Sequence, residues 1–396
     1  MPEALEGRGA ELAAMKAVAV ACDLVSPYGW GVDACWEGIL SGSTAIRPFE
    51  RTAGGSFPIE KAGYVEGLDP DGDETLVMQM LRPLIEKNAS AIPADALLFL
   101  ATTNGEIDIL EKSVLGGDLD AAGSRPECLL EKVRDLCRLD DPGIVVCAAC
   151  ASSSAAVARG AAMIRDGERD CVLVVGCDNV SEFVAAGFSS LMALDADMAR
   201  PFDRSRKGLS LGEAAAFLLL MGDSRAAREG RPVLAEISGW GLTGDAHHIT
   251  SPARDGSGLA LAMQKALDSA GVCAAEVGSI SAHGTGTVYN DSMEMKAFES
   301  VFQGGKVPTY SLKGGIGHTM GTAGLVDILM AIKSLSEERV PPTVNLREVD
   351  DEAAGWVFPE ARECSSAVTI STNSGFGGIN CAVVLRRRGP SRPIWS

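Results

Sequence analysis

The stretch CAACASSSAAVARGAAMIRDG, residues 147–167, decides the fold and the chemistry of this chain. An apolar run at 143–147 predicts a buried strand, which leads through two alanines to Cys150. A helix rich in small residues is predicted to begin at this cysteine. A thiol at a helix N-terminus faces unpaired backbone N–H groups and the positive end of the helix dipole, which favours the thiolate. We therefore predict that Cys150 is a nucleophile in a strand-to-helix turn.

Two of the four histidines lie in glycine-rich turns further along the chain. His283 lies in SAHGTGTVYND and His318 lies in SLKGGIGHTMGTAG, which cover residues 281–291 and 311–324. One cysteine nucleophile and two loop histidines form a set of side chains that suits acyl-thioester chemistry. We therefore expect Cys150 and the two histidines to meet in one active site.

Short apolar runs alternate with helical stretches along the chain. Runs such as ALLFLAT, CVLVVGC and AVTISTN predict strands. Helices are predicted at residues 151–166, 257–271, 292–302 and 321–336. Strands that alternate with helices in this way indicate parallel sheet with helices on its faces. The predicted fold class is therefore α/β.

The composition argues against several partners and locations. A formal net charge of −18 argues against nucleic acid and anionic membranes as general partners. No apolar run approaches the roughly 20 residues of a membrane span, and we find no signal peptide around the apolar run after Met15. The cysteines number eleven and are scattered singly through apolar segments, which is typical of reduced thiols. We therefore expect a cytoplasmic protein.

Five ordered motifs resemble those of the β-ketoacyl-(acyl carrier protein) synthases, the condensing enzymes of fatty-acid and polyketide assembly. They are AACASS, RPFDRSRKGLSLGEAA, AHGTGT followed by ND, K-GGIGH followed by GTAG, and STNSGFGGIN. The resemblance extends to residues 15–49 and thus covers nearly everything from Met15 to Leu385. A set of ordered motifs over that span is far more specific than any one of them.

The resemblance implies a thiolase-type α/β fold of five αβαβα layers, built from two similar βαβαβαββ halves. The first half is placed at 15–245 and the second at 246–396, which ends in a short basic tail at 386–396. Residues 1–14 precede the family pattern and are interpreted as an N-terminal extension. The duplication is not visible in the sequence itself, so the division follows from the resemblance alone.

The resemblance also implies a discrete enzyme that performs a decarboxylative Claisen condensation. Cys150 would carry the acyl group, and the backbone N–H groups of Cys150 and Phe376 would form the oxyanion hole. A malonyl thioester would then lose CO2, and His283 and His318 would stabilise the oxygen of the resulting enolate. Because the thioester already activates its carbonyl, neither a metal nor an organic cofactor is expected.

Further positions match the family's motifs and take their roles from it. Thr285 and Thr287 would contact the phosphopantetheine arm that carries the substrate. Lys313 would face an acid at Asp327 and bias the protonation of the histidines. This aspartate is one methylene shorter than the family's usual glutamate, so it stays open whether the two side chains touch.

Four residues are predicted to line the acyl pocket. Phe188 keeps the family's pocket aromatic, and Ser374 stands where a phenylalanine is common. Asn104 and Glu106 occupy positions that are usually apolar or glycine in fatty-acid synthases. Because a polar side chain buried against an alkyl tail costs free energy unless it is paired, we hypothesise a pocket that does not suit a long saturated chain.

An acyl carrier protein is the expected partner, although the chain and such carriers are both acidic. A local basic patch is therefore needed, and we predict that Arg204, Arg206 and Lys207 form it. The family also implies a homodimer in which the strand at 143–147 pairs across the twofold axis. A heterodimer with a paralogous ketosynthase-like subunit is the alternative assembly.

Three other functions stay open. A non-catalytic, chain-length-factor-like subunit would typically lack the nucleophile that Cys150 provides. A serine hydrolase would use Ser210 in GLSLG, but a strand is predicted after that motif in place of the required helix. A thiolase would need a second active-site cysteine in a late glycine-rich loop, and neither Cys364 nor Cys381 lies in one.

Overall fold

A computed structural model describes residues 15–49, 51, 59–116 and 121–388. The predicted extension at 1–14 and most of the predicted basic tail lie outside the described residues. The first elements in chain order are β1 (Ala17–Ser26), β2 (Gly29–Trp30), α1 (Val32–Leu40), β3 (Ile46–Pro48), β4 (Lys61–Gly63), α2 (Leu76–Asn88), β5 (Leu97–Ala101), α3 (Ile107–Gly116), α4 (Pro126–Cys137), β6 (Ile144–Val146), α5 (Ser152–Arg165), β7 (Cys171–Asp178), α6 (Glu182–Ser190), β8 (Ala214–Gly222) and α7 (Asp223–Arg228). They are followed by β9 (Ala235–Gly244), α8 (Ser257–Ala270), β10 (Ser279–Ser281), α9 (Val288–Phe302), β11 (Thr309–Tyr310), α10 (Lys313–Ile316), α11 (Ala323–Glu337), β12 (Arg339–Val340), β13 (Arg362–Glu363), β14 (Val368–Gly375) and β15 (Ile379–Arg386).

The main sheet consists of two halves with the same strand order. The first half runs β6-β5-β7-β8-β1 and the second runs β11-β10-β14-β15-β9. When the strands of each half are numbered along the chain, both orders become 3-2-4-5-1. In both halves the second strand pairs in parallel with the third and fourth, and the remaining pairs are antiparallel. The thiolase-type α/β fold is thus confirmed, and the topology shows the duplication that the sequence does not.

By strand order, the second half begins with β9. This strand takes the position in the second half that β1 takes in the first. Residues 229–234 separate it from α7, and the first two of them are exposed. The boundary between the halves therefore lies before Ala235. The predicted boundary after residue 245 is wrong because it places β9 in the first half.

A short antiparallel seam between β1 and β9 joins the two halves. Only two residue pairs form it, one of them Val18 with Glu236. Both ends of the described chain lie beside this seam, since Lys16 Nζ and Arg388 Nε lie 3.8 and 2.7 Å from Glu236 Oε2. Lys16 and Arg388 are therefore neighbours in space.

Helices lie between the two halves of the sheet and cover their outer faces. α5 and α11 pack between the halves, α2 and α4 cover the first half, and α8 and α9 cover the second. The side chains of β8 illustrate this, because Leu218 and Leu220 pack towards α5 and α11 whereas Phe217 and Leu219 pack towards α2. Side chains alternate between the two faces of a strand, so β8 is buried on both.

Small residues allow the two central helices to approach each other closely. At Gly324, in the first turn of α11, an added Cβ would lie 1.8 Å from Ser154 Oγ on α5. At Gly160 on α5, an added Cβ would lie 2.9 Å from a methyl group of Val172 in β7. The small-residue composition after Cys150 is therefore a packing requirement.

The strand before Cys150 differs from its prediction. β6 contains three residues, and it is the last strand at one edge of the main sheet. The side chain of Ile144 at this edge is 45 % exposed. The prediction of a buried strand is therefore wrong for the described chain taken alone, because no strand of that chain covers the outer edge of β6.

Candidate active site

Cys150, His283 and His318 meet at the end of a cavity. Cys150 lies in the turn between β6 and α5, His283 follows β10, and His318 lies between α10 and α11. The cysteine sulfur and one nitrogen of each imidazole lie within 4.8 Å of one another. All three residues are buried. Two turns of the second half thus bring their imidazoles to a thiol that the first half supplies.

The turn that holds Cys150 is tight. Helix α5 begins at Ser152, two residues later than predicted. Ser152 Oγ accepts the backbone N–H of Ala148 at 2.8 Å and donates to the carbonyl oxygen of Ala149 at 2.6 Å. Ala149 itself has a φ of 48°, a conformation that residues with a Cβ adopt uncommonly. The hydroxyl therefore fixes a turn that presents the thiol just before the helix.

Burial controls the ionisation of Cys150. Desolvation raises the pKa of this thiol to about 11, and the Lys313 charge and the Phe376 backbone N–H lower it by smaller amounts. The thiol is therefore protonated at neutral pH in the free protein. The expectation that the helix N-terminus favours the thiolate fails here, because loss of water outweighs it.

Both histidines are neutral hydrogen-bond donors. His318 Nδ1 accepts the backbone N–H of Met320 at 3.1 Å, and His283 Nδ1 lies 3.4 Å from the side-chain nitrogen of Asn373. In each neutral ring the proton therefore resides on Nε2. Burial and the Lys313 charge lower both pKa values well below the usual range. Nε2–H is consequently the free donor of each imidazole.

A buried network of hydrogen bonds and one ion pair supports the histidines. Lys313 Nζ lies 3.4 Å from Asp327 Oδ2, and both side chains are buried. Asn373 Nδ2 donates to the same carboxylate oxygen at 2.8 Å, and Ser154 Oγ donates to Asn373 Oδ1. The shorter aspartate thus does reach the lysine. Sequence reasoning missed Asn373, although STNSGFGGIN places it at the end of a predicted strand.

Glu294 on α9 is a second residue that sequence reasoning missed. Its carboxylate accepts the backbone N–H groups of His283 and Gly284 at 2.8 and 2.7 Å, and it also accepts Asn290 Nδ2 at 2.8 Å. Burial and the nearby Asp291 raise its pKa to about 8. Glu294 thus fixes the backbone of the turn that presents the first imidazole.

The cavity that ends at the thiol has a volume of 370 Å³. Thr285 and Thr287 line it, as predicted for arm contacts, and their hydroxyl oxygens lie 2.9 Å apart. The Phe376 backbone N–H lies close enough to Cys150 to lower the pKa of its thiol. A Cβ on Gly375 would lie 3.1 Å from the backbone nitrogen of Cys150, so a larger residue there would require this turn to shift by a few tenths of an ångström. Two backbone N–H groups therefore converge beside the thiol.

The structure places only two of the four predicted pocket residues at the cavity. Phe188 and Ser374 line it, and the Phe188 ring lies 5.7 Å from that of Phe376. Glu106 does not, because it is fully buried elsewhere and pairs with Lys132 at 2.7 Å.

Asn104 does not line the cavity either. Its side-chain nitrogen donates to Thr103 Oγ1 at 2.9 Å and lies 3.4 Å from Asp178 Oδ1. The predictions for Asn104 and Glu106 are therefore wrong for this cavity, since both side chains are satisfied by partners within the fold.

The predicted basic patch is largely neutralised. Arg204 pairs with Glu348 at 2.8 Å and with Asp351. Arg206 is buried and pairs with Asp350 at 2.6 Å. Lys207 lies exposed at the mouth of the cavity and makes no ion pair with a described residue. Of the three predicted docking residues, only Lys207 is both exposed and without an ion pair to a described residue, whereas Arg204 is exposed but paired.

The residues that the rival enzymes would use do not line this cavity. Ser210 Oγ is buried and accepts the backbone N–H of Ala199 at 2.9 Å, and the segment after it enters β8, not a helix. Cys364 donates to the carbonyl oxygen of Gly278 at 3.3 Å, and Cys381 is buried within β15. Neither the serine hydrolase nor the thiolase is therefore supported.

The catalytic trio is also the one set of His, Cys, Asp and Glu side chains in the described chain whose donor atoms could share a metal ion. One thiolate and two imidazoles form a ligand set that zinc accepts in proteins. The expectation that this site works without a metal or an organic cofactor stays a prediction.

Comparisons with known proteins match the chain to one family. Family models described as "Beta-ketoacyl synthase, N-terminal domain" and "Beta-ketoacyl synthase, C-terminal domain" match residues 134–226 and 234–347, together more than half of the chain. The 3-oxoacyl-[acyl-carrier-protein] synthase 2 of Vibrio cholerae serotype O1 is 29% identical over 94% of this chain and 99% of its own length. Nodulation protein E of Rhizobium sp. (strain N33) is 34% identical over 68% of each chain. A solved structure titled "The ishigamide ketosynthase/chain length factor" is 29% identical, covers 95% of this chain and 100% of its own, and superposes with a TM-score of 0.87.

Proposed function

The chain belongs to the β-ketoacyl synthase family, and we propose that it uses Cys150, His283 and His318 to join an acyl thioester to a malonyl thioester on an acyl carrier protein. The enzyme is an acyltransferase that forms a carbon–carbon bond. One observation carries the assignment of residues, namely the buried meeting of one thiol and two neutral imidazoles at the end of a cavity.

Acyl transfer to Cys150 comes first. The sulfur attacks the thioester carbonyl, and the thiol of the carrier's arm leaves with the proton that Cys150 gives up. The oxyanion that forms in between lies within reach of the backbone N–H groups of Cys150 and Phe376. Because the resting thiol is protonated, its ionisation is coupled to arrival of the substrate, when these donors and Lys313 offset the growing negative charge.

Decarboxylation and carbon–carbon bond formation follow. The malonyl thioester loses CO2, and the electron pair of the broken bond forms an enolate. The Nε2–H groups of His283 and His318 donate to the enolate oxygen, and they are suited to this because burial keeps both imidazoles neutral. The enolate carbon then attacks the acyl carbonyl, and Cys150 leaves as the thiolate. No organic cofactor is needed for these steps.

We propose that the carrier docks on the rim of the cavity, because its arm reaches Cys150 only through the mouth. The rim holds Lys207 and the exposed apolar side chains of Met192, Val288 and Tyr289. Carrier contact would then rely on an apolar rim with one free lysine. One solved structure of 22% identity is titled as a type II PKS acyl-carrier protein in complex with its ketosynthase, and it supports the expectation of a carrier partner.

We propose a second subunit on the outer edge of β6, where Ile144 is exposed. A second copy of the chain is our first choice, and a chain-length-factor-like paralogue is the alternative. Light scattering on the purified chain distinguishes them, since a dimer without any partner supports the first and a monomer that dimerises only with a paralogue supports the second. The chain keeps its thiol and both imidazoles, so a purely non-catalytic role is not favoured.

We place the enzyme in the cytoplasm. All eleven cysteines are free, which supports a reducing compartment. Separately, no helix among the described residues has the length and apolar character needed to span a membrane.

The decisive experiment is intact mass after incubation with acyl thioesters of increasing chain length. Wild type is compared with Cys150→Ala and with Cys147→Ala, a matched control in which an exposed cysteine three residues away is removed. We expect one acyl adduct that Cys150→Ala abolishes and Cys147→Ala keeps, and a β-ketoacyl product once malonyl carrier is added. A folded enzyme that forms no adduct with any acyl donor would contradict the proposed function. The same series of donors shows which chain lengths the pocket accepts. Asn104 and Glu106, on which the expectation against long saturated chains was based, do not line the cavity.

A further inference from the structure

Asp178 is a fully buried carboxylate at the end of β7, and the mechanism above does not use it. Its Oδ1 accepts four hydrogen bonds of 2.9–3.1 Å from the turn after β5, donated by the hydroxyls of Thr102 and Thr103 and the backbone N–H groups of Thr103 and Asn104. Its Oδ2 accepts the backbone N–H of Gly321 at 2.8 Å. One carboxylate therefore ties the turn after β5 to the turn that follows His318.

The hydrogen bond from Gly321 to Asp178 lies next to the residue that orients the imidazole of His318. Gly321 follows Met320, whose backbone N–H is bonded to His318 Nδ1. Met320 has a φ of 51°, so its surroundings and not its own preference hold this turn in place. The contact is also tight, because a Cβ on Gly321 would lie 2.8 Å from Asp178 Oδ2. The orientation of His318 therefore depends on the carboxylate.

The duplicated topology supports this interpretation independently. Continuing the parallel register of β5 and β7 by two residues puts Asp178 opposite Thr103. Continuing that of β10 and β14 by two residues puts Asn373 opposite His283. Asn373 contacts the turn of His283 in its own half and Ser154 on α5 of the other half. In the same way, Asp178 contacts the turn after β5 in its own half and Gly321, which lies just before α11, in the other half. The two side chains thus occupy equivalent positions and make equivalent links.

We propose that Asp178 is a positioning residue for decarboxylation, which holds the His318 turn against the end of β5. This inference rests on the proposed function, in which His318 donates to the enolate oxygen. The carboxylate never touches the substrate and acts only through the turn that it fixes.

The charge of Asp178 has a second, measurable effect. The ionisable groups around it are the thiols of Cys150 and Cys177 and the imidazole in the turn that it holds. Burial raises the pKa of Asp178 to about 6, so it is ionised at neutral pH. Its negative charge raises the pKa of Cys150, and Lys313 acts in the opposite direction. Removal of the charge should therefore make the thiol ionise more readily.

The test uses two variants that separate position from charge. Asp178→Asn removes the charge and breaks the link between the two turns, because an amide keeps only one acceptor atom whereas N–H donors face both carboxylate oxygens. Gly321→Ala displaces the same turn and leaves the charge in place. We expect both variants to release CO2 from malonyl carrier about 10- to 100-fold more slowly, with little change in KM. We expect Asp178→Asn alone to accelerate the alkylation of Cys150 by iodoacetamide at pH 8, by about threefold or more.

The matched control is Asp203→Asn. Asp203 is another fully buried carboxylate, and it accepts the backbone N–H groups of Arg347 and Glu348 at 2.7 and 2.8 Å. This control should leave the alkylation rate of Cys150 unchanged. The inference is overturned if a folded Asp178→Asn protein releases CO2 at the rate of the wild type. If that variant does not fold, the same rate in Gly321→Ala overturns it. If the wild-type enzyme itself catalyses no condensation, the proposed function is contradicted instead. The alkylation rate of Cys150 needs no substrate, so it would still show the effect of the Asp178 charge.

Discussion

At the scale of single residues, hydrogen-bond partners from distant segments decide what a side chain can do. The motifs alone led to the thiol and the two imidazoles, because nucleophile and donor chemistry restricts residue type and local setting. Asn373 was missed because its partner Ser154 lies 219 positions away in the sequence. The same cause explains two wrong predictions, since Glu106 and Arg206 are satisfied by Lys132 and Asp350, which no local pattern connects with them.

A pH dependence follows from the buried thiol. Because the pKa of Cys150 is raised to about 11, the thiolate fraction in the free enzyme should increase about tenfold per pH unit between pH 7 and 10. The alkylation rate with iodoacetamide, measured by mass in the Cys147→Ala background, should follow this fraction. A rate that reaches a plateau below pH 9 would show that the helix N-terminus outweighs burial.

At the scale of elements, the sequence predicted the helices well and the strand before the nucleophile poorly. α5, α8 and α11 each begin and end within two residues of their predictions, because their apolar and small residues recur at helical spacing. α9 begins four residues earlier than predicted, at Val288. The apolar residues of β6 predict a buried strand, but such a pattern does not distinguish a strand inside a sheet from one at its edge.

The contact between α5 and α11 gives a stability prediction. Gly324→Ala would place a methyl group 1.8 Å from Ser154 Oγ, so the two helices would have to separate. We expect a loss of about 1–3 kcal/mol in the free energy of unfolding, measured with urea, and a slower condensation, because these helices follow Cys150 and His318. Gly187→Ala on α6 is the matched control, since no heavy atom lies within 4 Å of its added Cβ. Equal stability of the two variants would contradict close packing at this contact.

At the scale of the whole molecule, charge opposes the expected partner. The chain carries a formal net charge of −18, carriers of this family are acidic, and two arginines of the predicted patch are already paired. Long-range repulsion is screened by salt, whereas contact with an apolar rim is not. We therefore expect KM for the acyl carrier to fall or stay constant as ionic strength rises from about 20 to 200 mM.

The control for this salt effect is the same acyl group on free pantetheine, which lacks the carrier's charge and should show no such change. An increase in KM with salt for the carrier alone would indicate attraction to a basic surface, and it would restore the docking patch that the ion pairs of Arg204 and Arg206 argue against.

The neighbouring ends of the described chain have a consequence for how the molecule can be rebuilt. Lys16 and Arg388 share Glu236 as a partner, and residues 229–234, which begin with two exposed residues, link the two repeats. A short linker from 388 to 16, combined with new termini in that link, would give a circular permutant in which the histidine-bearing repeat is synthesised first. Every strand pairing would be preserved, so the order in which the ribosome delivers the two repeats could be reversed without a change of fold.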